Sequence, residues 1–148
     1  MITSYNIVVS LRKYLIDKYG LKTVIKTMGW KVPKERPFYS VSSPTTNHLT
    51  LAKNKELIHG VVLVEVGCYA DSLVELNEIT TNVKSDILYS TIPLLSDSGE
   101  VIGAFSFSEI VGDTEITDDD TQPVQNETVR NRRYIEARAS IAMLKEYY

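Results

Sequence analysis

The sequence predicts an α+β domain: an antiparallel or mixed β-sheet with two main helices packed on one face. Three observations predict it. Leu57–Tyr69 (LIHGVVLVEVGCY) alternates along its length and is rich in β-branched residues, the pattern of a strand. An amphipathic helix pattern starts almost immediately behind it, and another lies near the beginning of the chain. Short alternating segments then recur toward the C-terminus around a glycine- and serine-containing turn.

The first helix is expected over residues 3–19. Ile7, Leu11, Tyr14, Leu15 and Lys18 recur at the three- and four-residue spacing of one face. Thr3 or Ser4 can cap its start, and Gly20 can end it in the left-handed conformation. Thr23–Trp30 is a weaker apolar segment, read as a short helical turn or irregular packing. The basic KVPKERP that follows is broken by two prolines and reads as a loop. Phe38–Ser42 is a strand candidate, and a polar connection after it can hold a short strand near Leu49–Leu51.

Within Leu57–Tyr69, strand parity puts Val62, Val64, Val66 and Cys68 on one face and Val61, Leu63, Glu65, Gly67 and Tyr69 on the other. A helix from Asp71 to about Tyr89 presents Leu73, Leu76, Ile79, Val83 and Ile87 as its apolar stripe. Ser72 and Glu75 have the spacing of a capping box, in which loss of the serine costs about 1 kcal/mol. Thr91–Leu95 carries Pro93 and suits an edge strand; with the turn Ser96–Gly99 and the alternating Glu100–Glu109 it forms a hairpin. In that last segment Val101, Gly103, Phe105 and Phe107 share a parity. Residues 109–128 hold seven acidic side chains and no basic one, and read as a long exposed loop before the last strand. For a strand from about Arg130 to Ala142, strand spacing gathers Ile135, Ala137, Ala139, Ile141 and Met143 on one face, a cleaner separation than helical spacing provides.

A chain of 148 residues suits one domain spanning 1–148, and 43% apolar with 24% charged side chains is the balance of an ordinary globule. One cysteine excludes an internal disulfide and a cysteine-rich zinc site, and fits a reducing cytoplasm or a virion. No apolar run is long enough for a membrane helix, and the N-terminal stretch has its charges on the wrong side for a signal peptide, so no membrane partner is expected. Net charge is −3 but unevenly spread. Residues 1–60 balance to +7, 61–108 to −6, 109–128 to −7 and 129–148 to +3. Oppositely charged surfaces of this kind can join within a subunit or between copies.

Candidate chemistry is thin. Cys68 lies just before a helix N-terminus, where a thiolate could be stabilised, and a small thiol-dependent hydrolase built on it is the rival from another functional class. Its own strand face is wholly apolar, however, and burial there would raise its pKa. His59 and Cys68 are nine residues apart on one strand, roughly 30 Å, so they cannot form a dyad. Two scattered histidines, His48 and His59, do not make a metal site. Asp113–Asp120 lacks the glycine and terminal glutamate of a helix-loop-helix calcium loop. No glycine-rich phosphate cradle or dinucleotide fingerprint occurs. The basic VRNRRY (Val129–Tyr134) could meet nucleic acid, yet a pI near 5.4 is not that of a dedicated binder. No catalytic, cofactor or metal residue is therefore assigned.

In its layout the whole chain resembles the tail-terminator, or tail-completion, proteins of tailed bacteriophages. The likeness runs through NIVVSLRKYLIDKYG, then the strand GVVLVEVGCYADS leading directly into LVELNEITTNVKSDIL, then a hairpin, a variable loop and a late RRYIEARASIAM. The connection Lys31–Glu56 departs from the family pattern. The resemblance implies a non-enzymatic virion protein, assembled in the host cytoplasm and placed at the head-proximal end of the tail. It implies a hexameric ring that caps the tail tube and contacts the tube protein, a head-completion or neck protein, and the sheath protein where the tail is contractile. DNA would only pass through the ring lumen. Another head–tail connector of similar build is the near alternative. A closed ring needs two different complementary patches on each subunit. The expected contacts join acidic residues (Asp113, Glu115, Asp118, Asp119, Asp120) to basic ones (Lys34, Arg36, Arg130, Arg132, Arg133).

Overall fold

A computed structural model describes residues 3–27, 30–43, 50–53, 57–116 and 131–144. The elements in chain order are helix α1 (Ser4–Tyr19), strands β1 (Lys22–Ile25), β2 (Phe38–Ser42), β3 (Thr50–Lys53) and β4 (Leu57–Tyr69), helix α2 (Leu73–Tyr89), and strands β5 (Thr91–Leu95), β6 (Val101–Ile116) and β7 (Arg132–Leu144). They form one seven-stranded mixed sheet in the order β1-β2-β4-β7-β6-β5, with β3 also on β4. Only β1 and β2 pair in parallel; the other pairs are antiparallel. The α+β class is thus the one expected, with both helices on one face of a curled sheet.

Cross-strand register fixes the two faces. Tyr39, Val41, Val62, Val64, Val66 and Cys68 stand opposite one another or opposite Ile135, Ala137 and Ala139, and all are buried beneath Ile7, Leu11 and Leu15 of α1 and Leu76, Ile79, Val83 and Ile87 of α2. The helix stripes fall as the spacing predicts, except that Leu73, in the first turn of α2, stays half exposed. Gly20 ends α1 at φ 68°, and its N–H donates to Ile16 O at 2.9 Å. Ser72 Oγ accepts from Glu75 N, while Glu75 Oε1 accepts from Asp71 N, one residue before the cap itself.

α1 is also the seam of the curled sheet, for it touches β1 and β5, the strands at opposite ends of the order. Its side chains satisfy backbone groups on both. Ser10 Oγ accepts from Leu95 N at 2.9 Å, Asn6 Nδ2 donates to Leu95 O at 3.3 Å, and Arg12 Nε donates to Thr23 O at 2.9 Å. With Pro93 lacking an N–H, β5 offers little to an incoming strand. A polar knot around the buried Asp86 ties α1 to α2. Lys18 Nζ lies at 2.5 Å, Tyr14 OH at 3.1 Å and Ser90 Oγ at 3.0 Å, and Tyr19 OH also donates to it. The hydrogen bond to Asp86 raises the Lys18 pKa above its ordinary value.

Three expectations are corrected. Part of Thr23–Trp30 is neither helical turn nor irregular: Lys22–Ile25 is a strand, because Thr23 and Ile25 fall on the helix-covered face when the segment pairs with β2. Val101 does not share the face of Phe105: the register shifts between Leu94 and Leu95, which turns Ile102 into the core and leaves Val101 65% exposed. Glu109–Ile116, the first half of the expected acidic loop, continues β6. Its acids are held by bases across the ladder with β7, so charge there marks pairing instead of disorder. The rest of that segment lies outside the described residues, as do Asp118, Asp119, Asp120, Arg130 and His48. β7 is a strand, as the parity of Ile135–Ile141 requires.

Candidate functional site

Two clusters of charge occupy the same end of the sheet, on opposite faces. On the helix-covered side, Asp113 of β6 takes a paired contact from Arg133 of β7, Nε to Oδ1 at 2.6 Å and NH2 to Oδ2 at 2.9 Å. Lys84 of α2 forms an ion pair with the same carboxylate. The Arg133 hydrogen bonds hold the Asp113 pKa below its ordinary value, helped by Lys84 and opposed by partial burial. Glu115 is in register with Arg133 and adds to its positive stabilisation. The triad therefore clamps α2 onto the sheet.

Cys68 sits directly opposite Arg133 and is fully buried. Burial pushes its thiol up to about 12, against the nearby Thr80 hydroxyl and the charge of Arg133, which pull the other way. A thiol so placed holds its proton at neutral pH, as its apolar strand face suggested.

The helix-free face carries the second cluster. Phe38 and Tyr69 stack at 4.3 Å between centroids with planes 9° apart, and both are buried although no helix covers them. Trp30 and Tyr134 meet Tyr69 edge-on at 6.2 and 6.0 Å. Burial raises the Tyr69 pKa, and its hydroxyl shares a hydrogen bond with that of Tyr134 at 3.3 Å. Cations close the cluster. Lys26 lies 5.0 Å from the Tyr134 ring centre, Arg132 5.6 Å from the same ring, and Arg36 5.8 Å from Tyr69. Arg36 NH1 also donates to Ala70 O at 2.7 Å. Gly67 makes this possible: a Cβ there would sit 2.3 Å from Ser40 Oγ and 2.9 Å from Tyr69 Cε2.

The structure thus divides the residues singled out in the sequence. Asp113, Glu115 and Arg133 come together within one chain; Arg36 and Arg132 join the aromatic cluster; Lys34 stands exposed in the loop before β2. Sequence reasoning missed Lys84, Lys26, Trp30 and Tyr69. Lys84 did carry a signal, as the one base between residues 61 and 108. The aromatic cluster depends on pairing distant segments, which no local pattern announces.

Among the described residues, no three His, Cys, Asp or Glu side chains are grouped to hold a metal ion, and no helix is long and apolar enough to cross a membrane. An apolar groove of about 400 Å³ runs between α1 and the β5–β6 hairpin, lined in part by Tyr14, Pro93, Leu95 and Val101. Neither models of known protein families nor the curated proteins include a match to this chain.

Proposed function

We propose that this protein is a structural component of a tailed-phage particle, a tail terminator whose copies close into a sixfold ring over the tail tube. The supporting observation is the succession of elements: a leading helix, a long strand running into a capped helix, a hairpin, and a late strand returning beside the long one. The polar clusters fit an assembly role, because Asp86 and Asp113 are saturated by partners that fasten helices to each other or to the sheet. Head-to-tail closure needs two unlike surfaces. The exposed basic loop around Lys34 and the acidic outer segment of β6 are unlike in charge and belong to opposite halves of the strand order.

Electron microscopy of the purified full chain, alone and mixed with tail tubes, tests this reading. Sixfold rings, or caps at tube ends, are expected. Binding to emptied heads but not to tubes would transfer the protein to the neck. Turnover of a substrate that disappears in Cys68→Ala, by a chain that forms neither rings nor caps, would replace the proposal with the thiol-hydrolase reading.

A further inference from the structure

The aromatic cluster on the helix-free face is bordered by more cations than its cover uses. Register lines up Lys22, Phe38, Tyr69 and Arg132 in one row across β1, β2, β4 and β7. Three strand spacings separate the outer two, about 14 Å, and the residues between them are aromatic, not acidic. Arg132 has no ion pair among the described residues; its Nε is buried without a hydrogen-bond acceptor, and its guanidinium rests on Tyr134. Lys22 and Lys34 are exposed and likewise form no ion pair among the described residues. The nearest strand carboxylates on this face, Glu65 and Glu136, face each other two rows away, and Glu65 is engaged with Lys26 at 3.5 Å.

Two cations that lack carboxylate partners and stand at opposite ends of a row, with rings between them, suit a series of anionic groups more than a single one. We infer that this patch is a contact site for the phosphodiester backbone of nucleic acid, reading charge and spacing without sequence preference. The acidic balance of the rest of the chain opposes the interaction, so it is weak and steeply dependent on salt. The site belongs to a single chain and does not depend on the ring.

Trp30 is the only tryptophan of the sequence and lies inside the cluster, where its ring meets Tyr69 and Lys26, so its emission reports on the patch directly. Full-length protein is titrated with a 20-base-pair duplex from low to moderate salt, following Trp30 emission and the anisotropy of a label on the DNA. The expected result is binding at low salt that changes Trp30 emission, with log K falling linearly against log salt. Lys22→Gln and Arg132→Gln each make the slope shallower by about one, whereas Lys13→Gln, on the exposed side of α1, leaves it unchanged. Circular dichroism of each variant establishes that the fold is retained. The inference is overturned by absence of binding at low salt, by binding that leaves Trp30 emission unchanged, or by equal effects of Lys13→Gln and Lys22→Gln. It is also overturned if a poly-glutamate peptide competes as well as the duplex, which would assign the patch to an acidic protein.

Discussion

On the helix-covered side of the sheet, Val62, Val64, Val66 and Cys68 disappear under α1 and α2 together with their cross-strand partners. On the other side, the residues between them behave differently along the same strand: Val61 is exposed, Leu63 and Glu65 are half-buried, and only at the far end is Tyr69 as buried as the core. One strand thus achieves burial in two ways. The covered face relies on a second layer and broad apolar area. The free face relies on rings stacked edgewise and flat over a glycine, with cation-bearing side chains completing the cover. The difference predicts unlike responses to mutation. The first face should answer to lost volume and the second to added volume.

The largest expected effect is on the covered face. Phe105 is 1% exposed and packs edge-on against Phe107 at 5.9 Å. Phe105→Ala should destabilise the fold by about 3–5 kcal/mol, through lost transfer energy and the cavity left behind. Urea unfolding measures it; a loss below about 1 kcal/mol would mean that the layer collapses to fill the gap.

Gly67→Ala is next, and acts in the opposite sense. The added methyl would meet Ser40 Oγ at 2.3 Å and the Tyr69 ring at 2.9 Å, so strand or ring must shift, at a cost of about 1–3 kcal/mol. Ser40→Gly removes the nearest atom. The double mutant should therefore be more stable than the sum of the single changes implies, by about 0.5–3 kcal/mol. Strict additivity would show that the ring, not Ser40, sets the limit.

A smaller effect tests the triad that locks α2 to β6 and β7. Because its folded pKa lies below the ordinary carboxylate value of 3.8, Asp113 contributes stability above that pH and loses it as pH falls through the folded value. Asp113 is partly exposed, so solvent screening keeps the contribution to about 1 kcal/mol or less. Asp113→Asn should flatten the acid limb of a stability–pH curve below about pH 4 and leave the alkaline limb unchanged. The alkaline limb belongs in part to Lys18. Its pKa is raised by Asp86, so its contribution is present below its ordinary value and fades as pH climbs through the folded one.

Legibility in the sequence followed distance along the chain. The Ser72 cap, the Gly20 terminus, the parity of Val62–Cys68 and of Ile135–Ile141, and the hairpin turn all depend on residues within a few positions of one another, and each lies where local rules place it. β1 was not legible, because four residues with lysine at one end become a strand only by pairing with β2. Glu109–Ile116 was misread because its acids make sense only opposite Arg138 and Arg133, some twenty to thirty residues later in the chain. The inward turn of Ile102 depends on a register shift against β5 that no alternation rule contains. Of the candidate residues, the sequence supplied the charges but not their partition: Arg132 and Arg133 are adjacent, and strand parity sends one to the aromatic patch and the other to the triad.

The smallest effect probes the helix-free face away from its aromatic end. Glu65 and Glu136 stand directly opposite in the β4–β7 ladder, and like charges so placed repel. Lys26 offsets one of them at 3.5 Å. Glu136→Gln should therefore stabilise the protein by a few tenths of a kcal/mol, more at low salt than at high. On a face closed by a second layer, the two carboxylates would also be desolvated, so the same substitution would stabilise by more and respond little to salt. Stabilisation that fades as salt is added would show that this part of the sheet meets water. A larger gain that salt leaves unchanged would show that some other surface covers it, and the contrast between the two faces would then be confined to Phe38, Tyr69 and their ring partners.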